Sequence, residues 1–279
     1  MNIIKFLESF TNEGMINSLS NKGSRRDSFT QFQKMGSVAA MAAVPFGLSA
    51  LIAPTKANAA NAAAFMGPAE TPIEALQLAL VLEYLEDEFY AMALDSGIIP
   101  ASDQAIIAQI AKHENAHVNF LKTALGDQAP AKPTFDFTGA RSVDGGGPFD
   151  PFNDYPTLLA LSQAFEDTGV RAYKGQAPNL ISNGDFLTAA LQIHSVEAMH
   201  ASQIRRLRGQ KGWIIGNDRG GLPEAAQAVY NGEEKFIQAG FNTSTVPNIP
   251  ASAGPESFDE FLTGSQSKTI AQLFIVETL

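Results

Sequence analysis

The sequence predicts an all-α protein: a bundle of four helices with one long crossover between the second and the third, followed by extra C-terminal helices. Two observations predict it. Four long stretches carry apolar residues at three- and four-residue spacing and stop at glycines, the pattern of amphipathic helices. The middle two are separated by about thirty residues, far above the usual helix-to-helix loop, and such a crossover joins helix pairs in bundle proteins.

The first stretch is "TPIEALQLALVLEYLEDEFYAMALDSG", residues 71–97. It opens with Thr71 and Glu74 as a capping box and Pro72 at the first helical position, and it closes at Gly97. Ile73, Leu76, Leu80, Glu83, Asp87, Tyr90 and Leu94 share one stripe. The second, "SDQAIIAQIAKHENAHVNFLKTALG", starts at a Ser102/Asp103 cap and ends at Gly126, with Ile107, Ile110, Glu114, His117 and Leu121 on one face. The crossover "DQAPAKPTFDFTGARSVDGGGPFDPFNDYP" is rich in Pro, Gly and Asp and has no sustained period. The third helix, "TLLALSQAFEDTGVRAYKG", ends near Gly175, and the fourth runs from about Asp185 to Gly209. Beyond it the sequence predicts an amphipathic helix from about Pro223 and a last helix from about Ser257, both packed on the bundle. Trp213 and Tyr230 are expected there as core or lid aromatics.

Composition narrows the function. The 279 residues are 45% hydrophobic, enough for a full core. A formal charge of −10 argues against nucleic acid or an anionic membrane as the main partner. Cysteine is absent, which removes disulfides, thiolate zinc sites, iron–sulfur clusters and thiol nucleophiles. Any metal must therefore be held by His and carboxylate.

Residues 1–59 read as an address label. Arg25-Arg26 precedes the Ala/Gly-rich apolar run "MGSVAAMAAVPFGLSALIAP", and Ala57 and Ala59 form an A-x-A cleavage site. This resembles a twin-arginine export signal, with Phe29 one place beyond its usual position. The expected location is periplasmic or extracellular after cleavage near Ala59, with no membrane anchor remaining. Pro45 and the small residues make 35–53 a poor spanning helix. The expected organisation is signal 1–59, bundle 60–210 and helical extension 211–279.

The second pair of helices repeats the first at an offset of 83 residues. Glu83 and Tyr90 match Glu166 and Tyr173, and Glu114 and His117 match Glu197 and His200. Ile110 pairs with Ile193 and Leu76 with Leu159. At the same offset Glu86, Asp87 and Glu88 fall on Gly169, Val170 and Arg171. Glu86 and Glu88 are therefore expected as solvated surface residues, and Asp87 as an outer group of the site. Residues at i and i+3 share a helical face, so each Glu-x-x-His presents a carboxylate and an imidazole to one point. Four inward carboxylates without partners would each cost several kcal/mol. Two divalent ions would compensate them, and a Glu from each of two helices with Glu-x-x-His from the other two is the set used by dinuclear carboxylate bundles. Oxygen and imidazole donors suit iron or manganese, including a mixed pair. His113 and His194 do not align with each other and are expected to pack or hydrogen-bond. Tyr90 and Tyr173 are expected beside the ligands, as core or as proton or electron donors. Met199 and Phe165 are expected to line the site.

The chain resembles the ferritin-like superfamily, and within it the exported bacterial ferritin-like domain proteins similar to plant desiccation-related proteins. The matching segments are "LEYLEDEFY", "KHENAH", "FEDTGVRAYKG" and "HSVEAMH". The resemblance implies Glu83, Glu114, His117, Glu166, Glu197 and His200 as ligands of two Fe or Mn ions. It also implies dioxygen, peroxide or the metal ions themselves as small substrates. The rival expectation is a metal-binding or storage module, or a stress-related structural protein on the same fold. The sequence does not fix an oligomeric state.

Overall fold

A computed structural model describes residues 71–141 and 146–276. The segment expected to be an export signal, with its expected cleavage site, lies outside the described residues. Four long helices dominate: α1 (Pro72–Asp95), α2 (Gln104–Leu125), α3 (Tyr155–Gln176) and α4 (Gly184–Leu207). None of the described helices is long and apolar enough to cross a membrane.

The helix starts follow from local chemistry. Thr71 Oγ1 accepts from Glu74 N at 3.2 Å while Glu74 Oε2 accepts from Thr71 N at 2.8 Å, which completes the expected capping box. At α3, Asp154 Oδ2 accepts from Thr157 N, and at α4, Asn183 Oδ1 accepts from Phe186 N. Asp103 precedes α2 without capping it through its side chain; its Oδ2 accepts from Tyr155 OH at 2.7 Å, which ties the starts of α2 and α3 together. α1 packs along α2 and α3 along α4, and the two hairpins meet chiefly through α1 and α3.

The described parts of the crossover are pinned by tertiary contacts. Phe135 forms an antiparallel bridge with Ile275, Asp136 N donates to Phe274 O at 2.8 Å, and Val276 N donates to Thr134 O at 3.0 Å. Phe137, Phe152, Phe165 and Phe274 pack edge-on or tilted around this junction, with Phe89 of α1 at its centre. Apolar burial thus replaces the missing periodicity as the force that orders the segment.

Beyond α4 the structure corrects two expectations. The helix expected from Pro223 is one 3-10 turn and a four-residue helix, α5 (Gln227–Tyr230), because Asn231 and Gly232, at φ 96°, turn the chain. A two-stranded hairpin, β1 (Ile237–Gln238) with β2 (Phe241–Asn242), follows. The last helix, α6 (Gly264–Ala271), begins after Thr263 rather than at Ser257, where there is a 3-10 turn. Thr263 and Gln266 make its capping box.

This extension is fastened to the outer face of α3. Leu262 N donates to Arg171 O at 3.0 Å, and at Gly175 a Cβ would stand 1.8 Å from Leu262 O, so only glycine admits the passing strand of chain. The Arg171 guanidinium is 1% exposed. It donates to the carbonyls of Val229, Asn231 and Glu260 and pairs with Glu233 Oε1 at 2.8 Å. Asp167 accepts from Arg205 and from Tyr230 OH, and Tyr230 OH accepts from Gln163. Tyr230 is thus a core residue as expected, whereas Trp213 is 48% exposed and bonds Glu256 at the surface.

Arg171→Met would strand Glu233 and three carbonyls. Urea unfolding should show a loss of about 3–5 kcal/mol, with early proteolysis between residues 211 and 276. A loss below about 1 kcal/mol would contradict the role given to this network.

Candidate metal centre

Glu83 and Glu166 sit near the middles of α1 and α3; Glu114 and His117 are one turn apart on α2, as Glu197 and His200 are on α4. All six are buried, the four glutamates completely. They form two overlapping groups, Glu83, Glu114, His117 and Glu197, and Glu114, Glu166, Glu197 and His200. Within each group the donor atoms lie within 4.8 Å of one another, and Glu114 and Glu197 belong to both. His117 Nδ1 is 3.1 Å from Glu83, 3.0 Å from Glu114 and 3.2 Å from Glu197. His200 Nδ1 is 2.8 Å from Glu114 and 3.2 Å from Glu166.

The contacts are reciprocal, as a duplicated hairpin requires. His117 reaches Glu197 and its repeat partner His200 reaches Glu114. Tyr90 OH donates to Glu166 Oε1 at 2.5 Å, and its counterpart Tyr173 OH donates to Glu83 Oε1. A pseudo-two-fold axis therefore runs through the site, with α1 antiparallel to α3. Burial pushes both phenols well above their usual pKa, and the neighbouring glutamates push further, so each tyrosine keeps its proton and holds one carboxylate.

Whether these groups fit metal ions can be tested on the polar atoms themselves. Glu114 Oε1, Glu166 Oε2, both oxygens of Glu197 and His200 Nδ1 are buried and make no hydrogen bond. They are close to one another but not aligned for one, so these ligand atoms gather around shared points without satisfying each other. Buried polar atoms are rarely left this way, and oxygen and imidazole donors converging on a point are what a metal ion demands. The donor set fits.

Electrostatics agree. Burial raises the Glu114 carboxyl to about 7 despite its histidine contacts. Burial alone would depress the His200 imidazole, but the Glu166 charge and the close Glu114 and Glu166 carboxylates outweigh it and lift it to about 11. His117 is raised further, again against burial, by Glu114, Glu197 and Glu83. The ion-free fold holds positive charge at both imidazoles because carboxylates surround them.

Several neighbours escaped or contradict the sequence reading. Glu86, expected at the surface, is 2% exposed, and burial followed by the charges of Glu197 and Glu166 pushes its pKa well above the carboxylate range. Beside it lies Gly169, its own repeat counterpart, where a side chain would crowd Glu197. A Cβ there would stand 2.9 Å from Glu197 Oε2 and 3.5 Å from Glu86 Oε1. Glu88 is half-buried against Lys132 at 2.7 Å. Asp87 accepts from Asn115 at 3.2 Å and stays outside the cluster. His113 is closer to the centre than its lack of a repeat partner implied. Its Nδ1 is 2.8 Å from His200 Nε2 and its Nε2 is 2.7 Å from Gln109, a line of contacts from the exposed surface of α2 to the cluster. His194 stays outside. Met199, expected to line the site, is 61% exposed because it lies one residue, about 100°, around the helix from His200. Phe165 is buried in the aromatic junction.

Compared with known families, residues 71–210 match a family model described as a ferritin-like domain. No curated protein matches the chain.

The pseudo-two-fold arrangement predicts that Tyr90→Phe and Tyr173→Phe act alike. Each removes the donor of one buried carboxylate, and chemical denaturation should show similar losses of about 1–3 kcal/mol. A large loss in one and none in the other would contradict the reciprocal pairing.

Proposed function

The chain belongs to the ferritin-like domain family, and we propose that it is a dinuclear iron or manganese carboxylate protein that reacts with dioxygen or peroxide. The observation that carries this reading is the pair of overlapping donor groups sharing Glu114 and Glu197. In it, Glu83 and His117 would hold one ion and Glu166 and His200 the other, with Glu114 and Glu197 common to both donor groups. Such a pair of ions, when bound, would supply redox chemistry toward an oxidant. The chain's own part is to bind and orient. Tyr173 and Tyr90 fix the outer carboxylates, Glu83 and Glu166, and keep a proton on an oxygen touching each. His113 holds the back of the His200 ring. The apolar packing of α1 against α3 keeps bulk water from the inner carboxylates. With no cysteine in the chain, electrons come from a metal substrate, an external donor or peroxide.

We also propose that residues 1–59 are a twin-arginine-type signal that directs export, with cleavage near Ala59. Arg25-Arg26, the apolar run and the A-x-A junction support this. A protein that takes up its metal before export would keep the identity of that metal. The segments "KHENAH" and "HSVEAMH" support kinship with exported, desiccation-type members of the family.

Loading the mature chain with Fe(II) or Mn(II) without oxygen should give about two ions per chain, and dioxygen or peroxide should then change the optical spectrum quickly. Two ions with no response would favour the storage or structural reading; no uptake would overturn the site. Substitutions should separate the positions. Glu83→Ala or Glu166→Ala should each lose about one ion, whereas Glu114→Ala with Glu197→Ala should lose about two.

Metal uptake must displace the protons on His117 and His200. With His200 at about 11, affinity should rise with pH between about 6 and 8, and calorimetry should show protons released on binding. Affinity independent of pH would contradict the assignment of the imidazoles.

A further inference from the structure

Beside the cluster, on the side away from His113, lies a narrow cavity between α1, α3 and α6. Its wall is apolar almost throughout: Leu82 and Leu85 from α1, Phe165 from α3, Ile270 and Ala271 from α6, and Phe274 just beyond it. The Thr168 hydroxyl in the wall is turned away, donating to Ala164 O at 2.6 Å. The space at rest suits about one molecule of the size of water, but water needs polar partners, which this wall does not offer; a small apolar gas enters it as the apolar wall gives way.

The inner end of the cavity is formed by Glu86 and Gly169. Both Glu86 Oε1 and Glu197 Oε2 lie within 3.5 Å of the point where a Gly169 Cβ would stand, so only the glycine gap separates the Glu86 carboxyl from the shared carboxylate Glu197. Glu86 and Gly169 lie close together near the pseudo-two-fold axis, where one repeat carries an acid and the other no side chain. A leucine at 86 would continue the wall of Leu82 and Leu85 at no electrostatic cost. A carboxyl buried beside four others carries that cost, and such costly groups cluster at functional sites.

We propose that this cavity is the port by which a small apolar oxidant, dioxygen, reaches the dinuclear site, and that the Glu86 side chain is the door between them. The inference rests on the dinuclear reading above. It also assigns work to the C-terminal extension, because α6 and Phe274 form the outer half of the wall. The opposite approach, along His113 and Gln109, is polar and suits protons or metal ions instead.

Xenon is a probe for such a space. Crystals of the mature wild-type chain pressurised with xenon should show one xenon atom between Leu85, Phe165 and Ala271. Ala271→Leu should exclude it, and in the iron-loaded chain should slow the reaction at low dioxygen by at least roughly tenfold while the metal content stays at that of wild type. Ala271→Val, the milder filler, should slow it less. Absence of xenon from the wild-type cavity overturns the port, and so does an unchanged dioxygen rate in an Ala271→Leu chain that excludes xenon. A wild-type chain that takes up no metal overturns the dinuclear reading, and the port falls with it; a chain that holds two ions and no xenon overturns the port alone.

Discussion

Everything in this fold answers to one constraint: carboxylates and imidazoles have been placed where leucines would normally be. Glu83, Glu114, Glu166 and Glu197 are fully buried in the middle of four helices. An unpaired charge in such a place costs several kcal/mol or is forced to neutralise. The two imidazoles and two tyrosine hydroxyls meet part of the demand, yet both oxygens of Glu197 and one each of Glu114 and Glu166 still have no donor. Cations would resolve that imbalance where hydrogen bonds do not. Binding would then be coupled to stability, because an ion held only by the folded chain stabilises it by mass action.

The duplication explains how such a site arises with few distinct parts. Antiparallel α1 and α3 put each tyrosine opposite the other repeat's glutamate, and α2 and α4 exchange histidine–glutamate contacts in the same way. Symmetry has its own limit at the axis, where a residue meets its own counterpart. There the halves must differ, and Glu86 with Gly169 is how they do. A second departure lies at the outer rim, where His113 backs His200 while its repeat position is Val196. The third departure is in the cover. Arg171, where the repeat has Glu88, anchors the extension to α3, so α3 is buried on nearly all sides while α2 and α4 keep solvent faces.

Much of this was legible in one dimension, for a physical reason. Helical periodicity and caps locate α1 to α4 within a few residues, and the offset of 83 selects the six residues that the structure brings together, since it weights features both halves share. The same weighting hid Glu86, whose role depends on Gly169 not matching it. It was silent on His113 because stacking on His200 joins residues 87 apart in sequence. The extension is poorly legible in sequence because its order comes from tertiary contacts. Alanines and glutamates after Pro223 favour a helix, but the turn at Gly232 and the burial of Tyr230 against Asp167 decide the path. Thr263 and Gln266 did carry a readable capping signal for α6, masked by its placement inside a Thr/Ser-rich segment.

The central claim is that the buried cluster holds two ions that share Glu114 and Glu197. Anomalous diffraction at the iron or manganese edge, on crystals of the mature chain loaded without oxygen, tests it directly. The account predicts two peaks about 3.5–4 Å apart, one beside Glu83 and His117 and the other beside Glu166 and His200. A single peak at the surface, or none inside the bundle, would contradict it.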